Sequence, residues 1–479
     1  MILSFLCFAL LLTACSPRNE EGIAITHVTV IDGTGANPSN DFTVIVEEKR
    51  IAAVGPSSAM RIPNGARVID GKGKFLIPGL ADMHIHLTGA GEPGGSREFI
   101  LSLLVANGIT TVRDMGGKVE LLKALRREIN SGRRLGPQIF FTGPYLDGNP
   151  PSFQPSIVVQ NTAQATDAVD KLASEGVDFI KVQSRLQPVP YYAIAEEAKR
   201  KEIRFVGHVP DSITAAAASD AGQASIEHLT GVLLGCSTRE EELRRRQLVP
   251  PPQHENQEQV LERERAWTED LLESYSAEKA NGLFGKFLAN QTWQVPTLVL
   301  LVDLGYLVPE RDAPGDARLK YVPNEVRQNW RKTRDSLMDG RVAKDFEQRR
   351  ALVKQSLETV NSMNKMGVRL MAGTDAAAPD VLPGFGLHEE LALLVEAGLT
   401  PMQALQAATR SSAEFLGRDA QQGTIQPGKR ADLVLLEANP LENIHNTQRI
   451  RGVILNGKLL DRGDLDAMLV EAEQYALSH

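Results

Sequence analysis

The chain has 479 residues, with 52 basic and 60 acidic side chains and a net charge of −8. At roughly 150 residues per domain, this length suits about three domains, or one large barrel with an appendage. Its 42% apolar and 23% charged content excludes a disordered or collagen-like chain, the acidic balance argues against a nucleic-acid-binding face, and three cysteines exclude a disulfide scaffold.

Residues 1–12, MILSFLCFALLL, are too few to span a hydrocarbon core, which takes ~20 helical residues. They match the apolar core of a signal peptide. Leu12-Thr13-Ala14-Cys15 resembles the lipobox of bacterial lipoproteins, whose cysteine is lipidated, although no Lys or Arg precedes the apolar run. The expectation is a removed signal over 1–14, a lipid on Cys15 attaching the protein to a membrane of the cell envelope, and a polar tether over 15–22. Cys236 would then be the remaining free thiol.

From residue 23 the pattern is short alternating strands, IAITHVTVID, TVIVEE, RIAAVG and ARVIDGKGKFLIPG. They predict the first part of a small β-sandwich, over 23–76. After about residue 80, strands alternate with helices: GITTVRD, a helix over 119–131, QIFFTG, a helix over 162–175, VDFIKV, a helix over 191–201, RFVGHV and ASIEHL. That rhythm predicts parallel βαβ units. Two charged stretches, 237–288 and 303–354, flank the strand candidate QVPTLVLL. They read as solvated helical hairpins, or as a lid if they stand above a barrel mouth. VRLMAGTD is the next predicted strand, and Thr400-Pro401-Met402-Gln403 starts a helix with Thr as N-cap and Pro at the first helical position. ADLVLLE and RGVILNGKLLD, with an Asn456-Gly457 hairpin turn, supply the second part of the sandwich over 417–465. The α/β body then spans 77–416, and 466–479 form a helix or tail.

The chemistry starts at Ala81-Asp82-Met83-His84-Ile85-His86. Residues i and i+2 of a strand point to one side, so His84 and His86 present two imidazoles together, and neutral imidazole suits zinc and similar divalent ions. A bare pair is weak evidence. Lys181, His208, His228 and Asp375 each stand at or near the C-terminal end of a predicted strand, and in a parallel barrel those ends converge on one rim. Arg113 and Tyr145 also end strands and could line the pocket. Arg113 could instead pair with an internal acid, and Tyr145 could be a packing residue. His388 starts a helix near the pocket edge. His27, His254, His445 and His479 lack metal-like spacing and read as surface residues, and Trp293 reads as core.

This constellation resembles the amidohydrolase superfamily, in its imidazolonepropionase-like and prolidase-like branch. The resemblance extends over nearly the whole chain, through Leu76-Ile77-Pro78-Gly79-Leu80, Gly373-Thr374-Asp375, Gly423-Thr424-Ile425 and Pro427-Gly428-Lys429-Arg430-Ala431-Asp432-Leu433. It implies an α/β fold: a TIM-type (β/α)8 barrel with a small β-sandwich built from both chain ends. It implies two divalent metal ions, with zinc favoured: one held by His84, His86 and Asp375, the other by His208 and His228, with Lys181 as a carboxylated bridging ligand. The implied nucleophile is a bridging hydroxide, since paired metals lower the pKa of a shared water toward ~7, with Asp375 as proton shuttle.

The expected reaction is hydrolysis of a carbon–nitrogen bond in a small molecule, a dipeptide or N-acyl amino acid. A mononuclear aminohydrolase or cyclic-amide hydrolase is the alternative, and a lactonase or phosphotriesterase-like esterase stays open. Dipeptidase relatives tend to carry a tyrosine or histidine shortly after the histidine at His208. Here Val209-Pro210-Asp211 follows, and Asp211 holds the spacing at which deaminases carry a glutamate. A ligand-binding surface lipoprotein would be expected to have a degraded site, whereas all six ligand positions are filled. A homo-oligomer is left open.

Overall fold

The computed structural model describes residues 22–88, 98–250, 252, 254–305, 316–376 and 378–479. The expected signal over 1–14, the lipid-bearing Cys15 and nearly all of the tether lie outside them. The first strands are β1 (Ile23–Val30), β2 (Ser39–Glu47), β3 (Arg50–Pro56), β4 (Arg67–Asp70) and β5 (Phe75–Pro78). The middle of the chain adds β6 (Leu80–Ile85), β7 (Ile109–Asp114), β8 (Gln138–Phe141), β9 (Tyr145–Asp147), β10 (Ser156–Val158), β11 (Ile180–Val182), β12 (Phe205–Gly207), β13 (Ser225–Glu227) and β14 (Trp293–Val295). The last are β15 (Leu433–Leu436), β16 (Ile450–Leu455) and β17 (Lys458–Asp461).

Alternation along the terminal strands decides where both ends go. They pair into one eight-stranded sheet, in the order β17-β16-β15-β5-β1-β2-β3 with β4 branching from β1. Leu433 and Leu435 of β15 join Ile25, Val44, Leu76 and Ile454 in a core private to this sheet, whereas Val434 and Leu436 face the main core with Ile77, Val453 and Leu455. Successive side chains on a strand point to opposite faces, so β15 is buried on both sides and fastens the sheet to the body. The two layers expected of a sandwich are thus continuous in hydrogen bonding, because β1 pairs with β4 over Ile23–Thr26 and with β5 over Thr29–Val30.

The body holds two parallel sheets, β6-β7-β8 and β10-β9-β11-β12-β13-β14, with helices between successive strands except from β8 to β10, which follow one another without one. The predicted strand VRLMAGTD is instead an extended segment with isolated parallel bridges, Gln294 to Leu370 and Ile85 to Ala376. It lies between β14 and β6: Met371 N–H donates to the Gln294 carbonyl at 3.0 Å, and Met83 N–H to the Ala372 carbonyl at 3.0 Å. A regular ladder fails because Asp375 adopts the left-handed conformation, φ 64°. QVPTLVLL is likewise shorter than predicted, since β14 ends at Val295 and Thr297, at φ 45°, turns the chain into the short helix Leu298–Leu300. At the other margin of the two sheets, Asp178 N–H donates to the Phe141 carbonyl at 2.8 Å.

The charged stretches form the helices Glu240–Leu248, Gln257–Glu273, Ala277–Ala289, Asn324–Met338 and Ala343–Met366. Their outer faces are solvated and cross-linked by pairs such as Lys344–Glu269 at 3.1 Å, while Arg265 pairs with the buried Asp345 at 3.1 Å and Leu234, Leu243 and Leu271 pack with Trp267 and Leu352 beneath. The predicted cap at Thr400 forms, with Gln403 completing a capping box for Pro401–Ala407. The final helix, Arg462–Ser478, stacks Tyr475 on Phe99 at 5.3 Å between ring centroids. Cys236 is buried and free, and no helix among the described residues is long and apolar enough to cross a membrane.

The Asn456-Gly457 turn joins β16 to β17 with φ values of 52° and 82°, and a Cβ on Gly457 would stand 1.7 Å from the Glu48 carbonyl oxygen. Gly457→Ala is therefore expected to lose at least about 1–3 kcal/mol from backbone strain alone. A fall in the urea midpoint without a change in slope checks this.

Candidate metal centre and active site

Period-two geometry on β6 puts Asp82 and His84 on one face, and His86 continues that row just past the strand end. Asp375 arrives opposite, fixed by its own backbone: its N–H donates to the His84 carbonyl at 2.7 Å. Asp375 Oδ1 lies 3.2 Å from His84 Nε2 and 2.9 Å from His86 Nε2. Lys181, from β11, places Nζ 3.2 Å from His84 Nε2. His228, just past β13, has Nε2 3.9 Å from Asp375 Oδ2, and its ring centroid is 4.4 Å from that of His84 and 5.0 Å from that of His208. The six residues singled out as ligands therefore come together from β6, β11, the ends of β12 and β13, and the extended segment that carries Asp375.

Each imidazole is oriented through its other nitrogen. His84 Nδ1 is 2.8 Å from Glu227 Oε2, and His86 Nδ1 is 3.2 Å from the Gly116 carbonyl. His208 Nδ1 is 2.9 Å from Ser184 Oγ, and His228 Nδ1 is 2.6 Å from Thr297 Oγ1. The Glu227 carboxylate and the Gly116 carbonyl can only accept, so they hold the proton at Nδ1 of His84 and His86 and leave Nε2 as the lone-pair atom, as in metal-ligating histidines; the Ser184 and Thr297 hydroxyls are able to accept in the same way. His84, His86 and Asp375 offer three ligand atoms within 4.8 Å of one another, and Asp375 Oδ1 is buried without a hydrogen bond of ordinary geometry. Imidazole nitrogens around an under-satisfied carboxylate fit a divalent cation such as zinc.

Burial sets the charge states. It holds the His208 and His228 imidazoles well below the usual histidine range, keeping both neutral and competent as ligands. Burial also brings Lys181 down to about 8, against the opposing pull of Asp375 and Glu227, so a neutral amine is accessible near neutrality. For Asp375, burial disfavours the charge, but the adjoining imidazoles, His84 foremost, outweigh it and hold the carboxyl well below its usual range.

Glu227, Ser184 and Thr297 were not anticipated from the sequence. Glu227 is the most consequential. Wholly buried, it accepts from Arg113 at 2.9 and 3.0 Å while supporting His84. Arg113, considered above for the pocket lining or for an internal ion pair, is itself fully buried, also donating to the Met83 carbonyl at 2.6 Å and Ser225 Oγ at 3.1 Å. It belongs to the scaffold under His84. Asp114 fastens the loop after β6 by accepting from Leu87 N–H at 2.7 Å and Gly116 N–H at 3.1 Å. The available signal was acids and an arginine inside otherwise apolar strands, in ADMHI, TTVRD and ASIE.

Tyr145 does reach the cluster, with its hydroxyl 3.5 Å from His86 Nδ1 and its ring 5.2 Å from Lys181 Nζ. Gly116 makes room for it, since a Cβ there would fall 2.2 Å from the ring. His388 is not brought to the cluster. Buried in the helix Phe385–Glu396, it bonds Thr447 Oγ1 at 2.9 Å, because its helical register faces the terminal sheet. Trp293 is core, as expected. A cavity of about 290 Å³ opens beside His228 and Ser184.

The amidohydrolase family pattern matches residues 75–244 and 319–460, well over half of the chain. The chain belongs to the amidohydrolase family. Among relatives, ochratoxinase of Aspergillus niger is 23% identical across 91% of this chain and 85% of its own length. An imidazolonepropionase of Rhizorhabdus wittichii is 24% identical across 85% of this chain and 91% of its own. The structure of AH, the bottromycin amidohydrolase, superposes with a TM-score of 0.74 at 25% identity, covering 95% of this chain and 90% of that one. The protein is thus a hydrolase of carbon–nitrogen bonds on a TIM-barrel-like α/β fold, with a candidate His-His-Asp metal site in a family that is generally metal-dependent.

Glu227→Gln should weaken metal binding by about 10–100-fold, because His84 loses its charged acceptor. It should also cost about 3–5 kcal/mol of stability by leaving Arg113 buried without a counter-charge. Chelator competition and urea denaturation measure the two effects separately.

Proposed function

We propose that this amidohydrolase cleaves the amide or peptide-like bond of a small molecule, best matched by a dipeptide or N-acyl amino acid, using two divalent ions with zinc favoured. The observation that carries this reading is the convergence of His84, His86, Lys181, His208 and His228 on Asp375. Lys181 as a bare ammonium could not ligate a cation, whereas its carbamate would be an anionic bridge of the kind paired ions favour, and burial supports the neutral amine that carbon dioxide needs. When bound, the ions supply Lewis acidity, acidifying a water and polarising the scissile carbonyl.

The chain's own residues do the rest. Asp375 stands beside both histidine pairs, ionised, and takes the proton that the attacking water loses as its oxygen bonds to the carbonyl carbon. As the C–N bond breaks, the same carboxyl delivers that proton to the departing nitrogen, leaving a carboxylic acid and an amine. Tyr145 keeps its hydroxyl proton, because burial raises its pKa, and offers a donor at the edge of the cluster.

The hydrogen bonds at both margins of the parallel sheets support reading the body as a complete (β/α)8 barrel. The separate core of the terminal sheet supports a small sandwich domain beside it. Attachment to the cell envelope through Cys15 rests on the LTAC motif after the apolar run. A single-ion reading, for a cyclic amide or an aminohydrolase substrate, is favoured by one observation: His84, His86 and Asp375 already form a sufficient three-ligand group.

Metal analysis separates the two readings. Two ions per chain in the wild type, falling to one in Lys181→Ala, is the expected result, and one ion unaffected by that change overturns the binuclear proposal. Hydrolysis of a pooled dipeptide and N-acyl amino acid library should be abolished by chelator. Asp375→Asn should lower kcat by about 10²–10⁴-fold in single-turnover assays. Chelator-sensitive turnover confined to lactones or phosphotriesters would contradict the amide assignment.

A further inference from the structure

The cavity beside His228 and Ser184 joins the catalytic cluster to the charged helices. On the cluster side it is bounded by His228 and by Ser184, which orients His208. On the far side its wall is apolar: Leu234, Trp267, Leu271 and Leu352, members of one packed cluster. Trp267 and Leu271 stand on the helix Gln257–Glu273. That helix lies between residues 244 and 319, outside the stretches matched by the family pattern, whereas Leu234 and Leu352 lie inside them.

The wall is fixed in place. The Trp267 indole N–H donates to the Leu243 carbonyl at 3.3 Å, which anchors the ring, and Trp267 lines the cavity. Arg265 bonds Asp345 at 3.1 Å, and Gln348 Nε2 donates to the Arg265 carbonyl at 3.2 Å, joining the Trp267 helix to the Leu352 helix Ala343–Met366. The polar residues of the cavity are engaged with one another: Gln247 donates to Asp211 Oδ1 at 2.8 Å and Arg244 to the Asp211 carbonyl at 2.9 Å. An apolar cavity of ~150 Å³ already holds benzene, so about 290 Å³ accepts a phenyl or indolyl group with its connecting carbons.

We infer that Trp267, with Leu271 and Leu352, forms a specificity pocket for a bulky aromatic group of the substrate, so that the preferred substrates are amides bearing an aromatic residue. This rests on the amide-hydrolase reading above and adds the class of side chain. Stacking on the indole and desolvation of the ring supply the selectivity, while small aliphatic substrates leave the pocket unfilled.

The test uses the metal-loaded full chain with Ala-Ala, Phe-Ala and Ala-Phe. One of the two phenylalanine dipeptides should be favoured over Ala-Ala in kcat/KM by at least ~10-fold, the scale that a few buried methylenes produce. That ratio should collapse by ~10-fold in Trp267→Ala and survive in Trp267→Phe, which shows that the loss is not a folding defect. In parallel, calorimetric titration with 3-phenylpropionate and propionate reads the pocket without turnover: the aromatic acid should bind ~10-fold tighter to the wild type, and the advantage should vanish in Trp267→Ala. Aromatic-selective binding with no dipeptide cleaved would support the pocket and overturn the dipeptide reading. Cleavage of dipeptides with no aromatic preference, or a preference untouched by Trp267→Ala, would overturn the pocket and leave the amide reading standing.

Discussion

An arginine enclosed without a partner costs several kcal/mol, and the interior beneath the metal ligands is organised by that constraint. Arg113 is fully buried, so Glu227 must be present and ionised, and the arginine outweighs the burial that would neutralise it, holding the carboxyl near 2. The carboxylate then has a second oxygen in reach of His84 Nδ1. One ion pair thereby fixes the tautomer of a ligand histidine and ties β7 to β13 and β6, with Ser225 Oγ completing the set at 2.5 Å from Glu227 Oε1. Rigidity at the cluster is a by-product of solving a desolvation problem lower in the body.

Above this pair the donors come from strand ends far apart in sequence, and the backbone aligns them. The extended segment 369–376 hydrogen-bonds to both β14 and β6, and Thr374 reinforces it through Asp82, its hydroxyl donating at 2.6 Å. Asp82 is raised to about 7 by burial, so it needs those donors to carry charge. Asp375 follows at once in a left-handed conformation. Backbone strain at a residue held by its surroundings is a common mark of a catalytic position, and here it turns the carboxylate toward the histidines.

The part of this arrangement legible in the sequence was the part encoded locally. Two histidines at i and i+2 share a side of any strand, and alternation in β15 and β16 marks them as strands wherever they dock. Asp375 and Lys181 were legible because strand ends share a rim. Glu227 was not, because its role depends on Arg113 reaching it from another strand, and a lone acid before a histidine carries no sign of that. Arg113 faced inward for the same reason. His388 depended on a helix rotation that no spacing specifies, and QVPTLVLL was over-extended because the left-handed turn at Thr297 serves His228 and has no local signature. The charged stretches read correctly as solvated outside, yet the apolar wall on their inner side emerged only once Leu234, Trp267 and Leu352 were brought together.

The terminal sheet has a consequence for how the molecule comes into being. Arg50 donates to the Gly428 carbonyl across 378 positions of sequence, and β5 pairs directly with β15. The strands and the extended segment that carry the candidate metal ligands lie, in chain order, between the two halves of that sheet. In order of synthesis β5 therefore precedes its partner β15 by most of the chain, and that edge of the sheet closes across a very long loop. The terminal sheet is thus the clasp of the molecule, made of contacts with nearly the longest sequence separation the chain allows, the class of contact that slows folding.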